Sequence, residues 1–424
     1  MHSSFGRVGD LSATNLRQRV RSPWHFVRGD DHQEQAETLV TLRELARTFF
    51  FLGLTSYGGP AIVAQIRQTI LRKGWLTDSD LQDSLAFCQM LPGPVAVQFG
   101  EHIGWRLRGG RGAVVALVFY MLPTFILMLV LSAVYFRIGE VPLVVAVLKG
   151  LRAATVGIIV NAIISMSRPA ISHWRAIPIA LASAAGFLLH VNVILVLAGA
   201  GVAGALLLPR GRVGAQTSVN GAAPAVRYRR VVLWAVVVVV AFVMLIVLSG
   251  KLGPSYPSLG TAMTKVNLLA FGGGYTAIAL MYDQVVTAYK WLSRPEFLDG
   301  LALGQITPGP VIITATFIGY KVGGVIGAVF ATVCVILPSA VLLVVLAPQF
   351  VRLRRIDIMG RVVRGLLAAF IGMLLFVLWQ VASVGMTEPL TLVLAIGSVI
   401  ALRFVSNPIW VVLGAMVVTL VFGR

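Results

Sequence analysis

Residues 231–250, VVLWAVVVVVAFVMLIVLSG, are apolar on every face of any helix they form, and similar runs recur from near residue 45 almost to the end of the chain. About 20 apolar residues is the length that crosses a bilayer core. In lipid every backbone N–H and C=O has to be satisfied internally, which leaves helices and closed barrels. A barrel alternates apolar and polar residues in segments of about ten, and these runs do not alternate. The expected fold is an all-α polytopic membrane protein. Composition agrees: the chain is 58% hydrophobic and 12% charged, with a mean hydropathy of +0.88, whereas soluble domains carry roughly a quarter charged residues.

The 35 Lys+Arg against 16 Asp+Glu give a formal net charge of +19. The excess sits mainly in short loops and in residues 209–230, where positive charge sets membrane orientation and meets anionic lipid. No nucleic-acid partner is expected. Cys88 and Cys334 lie in apolar segments of opposite halves without metal-ligand spacing; they read as core residues, with no disulfide and no metal site.

Residues 1–42 are polar and lack the apolar core of a signal peptide, which points to a cytosolic tail. Candidate spans follow at about 43–66, 82–104, 112–136, 141–166, 176–190 and 192–208. Residues 209–230 are basic and contain no acid, as expected of a cytosolic linker. Further spans lie at about 231–250, 261–283, 297–320, 325–348, 357–382, 387–403 and 408–422, making about thirteen in all.

The chain repeats itself at an offset of roughly 215 residues. Tyr57-Gly-Gly-Pro60 matches Phe271-Gly-Gly-Gly274, Trp75-Leu76 matches Trp291-Leu292, and Gln89-Met-Leu-Pro-Gly-Pro94 matches Gln305-Ile-Thr-Pro-Gly-Pro310. His102-Ile-Gly-Trp105, Gly112-Ala113, Leu122-Pro123 and Gly150-Leu151 continue the series with Phe317-Ile-Gly-Tyr320, Gly327-Ala328, Leu337-Pro338 and Gly365-Leu366. The organisation is a first repeat at 43–208, the linker, a single helix at 231–250 and a second repeat at 251–424. Each repeat holds an even number of spans, so the single helix makes the second an inverted copy of the first. Loop charges support inversion through the positive-inside rule: Arg106, Arg108 and Arg111 face only Lys321 in the counterpart, whereas Arg137 beside Glu140 faces Arg352, Arg354 and Arg355. The loop holding Arg72 and Lys73 does not discriminate, leaving open whether the first helix of each repeat is re-entrant or broken.

The duplicated FGGP-like motif, the QxLPGP motif followed by Ile-Gly-Trp/Tyr, the Gly-Ala step and the Leu-Pro of the next helix resemble the chromate ion transporter (CHR) family in its long, two-repeat form. The resemblance covers residues 43–424 and implies a multi-pass protein of the bacterial inner (cytoplasmic) membrane that exports chromate, coupled to protons or the membrane potential. Two positions depart from it: Gly274 stands where the motif has Pro, and Glu101-His102 stands opposite Thr316-Phe317.

Pro92-Gly93-Pro94 and Pro308-Gly309-Pro310 fall inside candidate spans and remove two backbone donors each, so both spans have to break there. Paired breaks in corresponding positions of two repeats point to a transporter's binding site; half-helices that start after a break present N–H groups and positive dipole ends to an anion. The competing reading is a packing kink. Gly58, Gly59, Gly272 and Gly273 line the same region or serve as close-packing surfaces, and Gln89 and Gln305 are candidate polar wall residues. No Lys-Ser/Thr pair follows the glycines, so a phosphate loop is excluded, and no cofactor is expected.

Ionisable residues inside spans cost a few kcal/mol each, and Glu101, His102, Lys149, Arg152, Lys265, Arg361 and Arg364 are the candidates. The offset maps Lys149 onto Arg364, one cation per repeat, as the expected electrostatic half of an oxyanion site. Glu101, seven residues beyond Pro94, is the candidate proton carrier; its alternative is a structural ion pair. The expected function is secondary transport of chromate or a related oxyanion with protons as co-substrate. A proton-coupled importer of sulfate would need the same site. A membrane-embedded enzyme would need a catalytic constellation, and none of the familiar ones occurs in the spans. A homodimer is compatible with the sequence, which does not fix the oligomeric state.

Overall fold

The computed structural model describes residues 40–57, 59–138, 141–171, 173–189, 191–209, 228–349, 357–385, 388–405 and 408–422. The N-terminal tail, Gly58, most of the linker, the Arg352–Arg355 loop and Arg424 lie outside the described residues.

Fifteen α-helices occur among the described residues. The first repeat contributes α1 Leu42–Thr55, α2 Gly59–Arg72, α3 Asp78–Met90, α4 Val95–Ile138, α5 Pro142–Ala170, α6 Ala176–Leu188 and α7 Val193–Leu207. After α8 Tyr228–Leu248, the second repeat contributes α9 Tyr256–Leu269, α10 Gly274–Tyr282, α11 Arg294–Ile306, α12 Thr314–Leu346, α13 Asp357–Gly385, α14 Pro389–Phe404 and α15 Pro408–Phe422. Two sets of seven thus flank α8. Val95–Ile138, Val144–Arg168, Val231–Lys251, Val311–Gln349 and Gly360–Ser383 are long and apolar enough to cross a membrane, and α6, α7, α14 and α15 are shorter apolar helices.

Local chemistry sets where these helices start and stop. α3 opens on a capping box: Thr77 Oγ1 accepts from Asp80 N–H, while the Asp80 carboxylate accepts from Thr77 N–H. Ser293 and Glu296 repeat the device at the start of α11. Each box satisfies two donors that a helix start leaves open. Downstream, the paired prolines cannot donate, so α3 stops at Met90 and α11 at Ile306. The spans expected at 82–104 and 297–320 are therefore each broken, as the proline pairs require. The first helix of each repeat is broken too, into α1 and α2 and into α9 and α10, the latter continued by a π-helical stretch at Asp283–Ala288.

α4 and α12 each reverse direction within their length. Arg108 and Gly109 leave helical geometry in α4, as do Gly323 and Gly324 in α12. Gly109 and Gly324 hold φ near +60° and +59°, a conformation that a Cβ opposes. The two arms then meet at Gly104 on Gly112 and at Gly319 on Gly327, with no room for a side chain at either contact.

The repeats are interleaved. α6 and α7 pack on α13 of the second repeat, while α14 and α15 pack on α5 of the first; α5 contacts α13, and α4 contacts α12. Small residues make this possible, because helices in lipid associate through close packing. Gly150 and Gly157 on α5 seat α15 and α14, and their repeat counterparts Gly365 and Gly372 on α13 seat α7 and α6.

Candidate functional site at the crossing of broken helices

Two backbone hydrogen bonds tie the breaks of one repeat to those of the other. Gly93 N–H donates to Ala270 O and Gly309 N–H donates to Ser56 O, both at 2.6 Å. Each bond is the copy of the other under the repeat offset. Gly93 and Gly309 hold φ of +112° and +111°, and each is covered by a hydroxyl side chain from the opposite repeat, Ser339 over Gly93 and Thr124 over Gly309. The Asn267 amide holds Ser339, the cover on Gly93: its Nδ2 donates to Val335 O at 2.7 Å and to Ser339 Oγ at 2.9 Å, and its Oδ1 accepts from Ser339 N–H at 2.8 Å. Gln98 Nε2 donates to Pro92 O at 2.6 Å. Irregular backbone at membrane depth is thus satisfied by protein, as lipid demands.

A cavity of about 390 Å³ lies beside this crossing, within the roughly 300–1,000 Å³ of small-molecule pockets. Its wall takes Ile62 and Val63 from α2, Leu85 and Gln89 from α3, Ser165 and Met166 from α5, Pro94, Val95 and Ala96 at the first break, and Gly272 to Tyr275 with Pro310 and Val311 at the breaks of the second repeat. Three helical segments start at this wall: α4 at Val95, α10 at Gly274, and the 3₁₀ turn at Val311 that leads into α12. At each start the third N–H is already paired, Val97 with Pro94 O, Thr276 with Gly273 O and Ile313 with Pro310 O; the N–H groups ahead of it are the ones a helix start leaves open, and the dipole gives each start a partial positive charge. The lining carries no formal charge of its own. Such a wall suits an anion, which N–H groups and dipoles hold.

The family model for chromate transporters matches the chain twice, at residues 43–205 and 257–420. The chain belongs to the chromate transporter family. A chromate transport protein of Cupriavidus metallidurans is 30% identical over 394 residues, covering 90% of this chain and 93% of that protein. A chromate transport protein of Pseudomonas aeruginosa is 37% identical over 311 residues, covering 70% of each. An uncharacterized transporter of Methanocaldococcus jannaschii is 32% identical over 332 residues, 78% of this chain and 82% of its own. No solved structure matches the chain. Membership of this family, together with the long apolar helices, makes the chain a multi-pass membrane protein built of two repeats.

In this member of the chromate transporter family, Gln89, Pro94, Gly272, Gly273 and Pro310 line the cavity. Pro92, Gly93, Pro308 and Gly309 build the crossing behind it, Gly59 opens α2, and Gln305 is buried with Nε2 unpartnered among the described residues. Lys149 and Arg364 are not among the lining residues. Lys149 Nζ pairs with Glu388 Oε1 at 2.7 Å, and Arg364 donates to Pro209 O at 2.6 Å. Glu101 sits on α4, buried, with Oε2 unpartnered among the described residues. Beside it His102 packs against the rings of Phe87 and Trp105 at 5.0 and 5.6 Å. Thr316, the repeat counterpart of Glu101, shares a hydrogen bond with Thr332 at 2.7 Å. Among the described residues no group of three or more His, Cys, Asp or Glu is placed to hold a metal.

Sequence reasoning passed over Asp299. It is fully buried on α11 and receives a two-pronged grip from Arg152, Nε to Oδ1 at 2.6 Å and Nη2 to Oδ2 at 2.7 Å, with the Tyr135 hydroxyl donating to Oδ2 at 2.8 Å. A longer reading of the repeat would have found it, since Asp83-Ser-Leu-Ala-Phe-Cys-Gln89 and Asp299-Gly-Leu-Ala-Leu-Gly-Gln305 share Asp, Leu, Ala and Gln in register.

Proposed function

We propose that the chain is a secondary transporter that moves chromate outward across the cytoplasmic membrane and thereby confers chromate resistance. The carrying observation is the convergence of three helix starts on one uncharged cavity at the crossing of the two repeats. A tetrahedral oxyanion is matched there by N–H donors and dipole ends, without a fixed cation that would hold it too tightly to release. The relatives named as chromate transport proteins supply the substrate.

Direction follows from the membrane potential. One charge crossing 100 mV is worth about 2.3 kcal/mol, so a dianion leaving a negative interior gains roughly 4–5 kcal/mol. Proton exchange adds to this through Glu101, whose buried carboxylate lies two turns into the half-helix that starts at the cavity wall. Lys149 and Arg364, one per repeat, raise the positive potential along the route. The repeats are inverted, with the tail, the 209–230 linker and the Arg352–Arg355 loop cytoplasmic and Arg424 periplasmic.

Expression in a chromate-sensitive bacterium, followed by growth on chromate and cell-associated chromium, tests this reading. Improved growth with lower cell content supports export. Higher content with poorer growth would make the protein an importer of chromate or of a related oxyanion such as sulfate.

A further inference from the structure

A second cavity, of about 300 Å³, shares no lining residue with the one at the crossing. It lies between the α6–α7 turn, which brings Asn192, and the broken first helix of the second repeat, which brings Lys265, Asp283 and Gln284. Lys265 stands on α9, and Asp283 begins the π-helical stretch that follows α10. Because both line one cavity, the chain that leaves the break at Phe271 to Gly273 runs back beside α9. The first repeat shows the same return: Lys73, just beyond α2, pairs with Glu44 in the first turn of α1 at 3.3 Å. The cavity therefore sits toward the membrane boundary at which α8 ends and α9 begins. Tyr289 stacks on Trp291 there at 4.5 Å, as aromatic residues do at membrane–water interfaces.

The two charges at this cavity do not close on each other. Gln284 Nε2 donates to Asp283 Oδ2 at 2.8 Å, yet no ion pair joins Asp283 to Lys265, although both face the same space. Asn192 Oδ1 accepts from Ile194 N–H at 2.9 Å, which leaves the amide N–H groups to donate. Phe187 of α6 and Phe376 of α13 supply an apolar wall. Ionisable groups within spans are costly and mark sites by default. The cation is not part of the pattern that the repeats share, since Lys265 falls on Phe51 in the register of Tyr57 and Phe271. The stretch from Gly274 to Trp291 is also two residues longer than that from Pro60 to Trp75, and the π-helical turn falls within it. Such turns recur at functional sites.

We propose that this cavity holds the headgroup of a phosphatidylethanolamine molecule, with its phosphate on Lys265 and the Asn192 amide, its ammonium on Asp283, and its glycerol carbons against Phe187 and Phe376. A zwitterion is the ligand class that fits. A lone anion would meet Asp283 and a lone cation would meet Lys265, whereas a dipolar group gives each charge an opposite partner. The membrane boundary and the apolar wall favour a lipid over a small solute. A choline headgroup fits less well, because its methylated ammonium has no N–H to give the carboxylate. A glycerol headgroup brings no cation at all. The bound lipid ties the α6–α7 turn of the first repeat to α10 of the second, whatever substrate the protein carries.

The test follows the thermal midpoint of the full-length protein, purified and delipidated in detergent, as phosphatidylethanolamine, phosphatidylcholine or phosphatidylglycerol is added in mixed micelles. Phosphatidylethanolamine is expected to raise the midpoint by several degrees, at a several-fold lower lipid fraction than either of the others. Asp283→Asn should erase its advantage over phosphatidylglycerol. Lys265→Met should raise the fraction needed of both phosphatidylethanolamine and phosphatidylglycerol several-fold. The ranking of the three lipids on the parent protein needs no variant, so it decides the matter if a variant fails to fold. Equal stabilisation by all three lipids would be a general micelle effect and overturns the site. A match by phosphatidylglycerol overturns the zwitterion. A match by millimolar phosphoethanolamine or inorganic phosphate overturns the lipid. A rise with chromate that Lys265→Met removes would make the cavity a second substrate station and overturns the lipid as well.

Discussion

Gln89 and Gln305 hold the same place in the two repeats, three residues before a Pro-Gly-Pro knot, yet Gln89 is exposed at the cavity wall while Gln305 is only 8% exposed. The same difference separates Leu85, at the cavity wall, from the buried Leu301. A cavity on one side of a twofold-like crossing is what a carrier needs in one of its two end states. Gln89→Ala is accordingly expected to weaken chromate binding several-fold, and Gln305→Ala to leave binding in this state nearly unchanged. Calorimetry on the purified protein checks both.

Gly93 and Gly309 are the stiffest constraint at the crossing. Their φ values of +112° and +111° lie where a side chain is strained, and Ser339 and Thr124 already occupy the space a Cβ would take. Gly93→Ala and Gly309→Ala should each cost about 1–3 kcal/mol and abolish transport. A lowered thermal midpoint in detergent and a silent vesicle assay are the expected results. Pairing Gly93→Ala with Ser339→Gly should recover part of the stability, since it relieves the overlap but not the backbone strain.

Glu101 is expected to serve coupling more than binding. Glu101→Gln keeps size and removes the exchangeable charge, so chromate affinity should stay within several-fold while transport loses its response to an imposed pH gradient. Unchanged pH dependence in vesicles would return Glu101 to a structural part.

The breaks were legible in the sequence because proline chemistry is local: two missing donors within three residues stop a helix whatever surrounds them. Duplication then singled out the two Pro-Gly-Pro knots as the candidate site. Partnerships were not legible. Arg152 and Asp299 are 147 residues apart, and only the packing of α5 on α11 brings them together. The offset makes Lys149 and Arg364 equivalent in sequence, but it does not choose their neighbours, and one meets Glu388 while the other meets Pro209 O. Equivalent positions acquire different surroundings once the two repeats adopt different conformations.

Lys149 and Arg364, away from the cavity wall, should act at a distance. Lys149→Met and Arg364→Met are each expected to lower chromate affinity several-fold, with the loss shrinking as salt rises, because charges acting across solvent are screened. Loss of all binding in either variant would place that cation in direct contact with the anion.

Inversion of the repeats is checked by impermeant thiol labelling of single cysteines. A cysteine at Arg424 should react from outside intact cells, and one in the 209–230 linker only after rupture. Labelling of Arg424→Cys only after rupture would contradict the inverted arrangement.

Chromate flux into everted membrane vesicles tests the central claim most directly, because outward transport in the cell becomes uptake in that geometry. Chromate accumulation above that of empty vesicles, increased by an inside-positive potential and lost with Gly93→Ala, is the expected result. Vesicles that take up no more chromate than empty ones, or uptake confined to right-side-out vesicles, would contradict it.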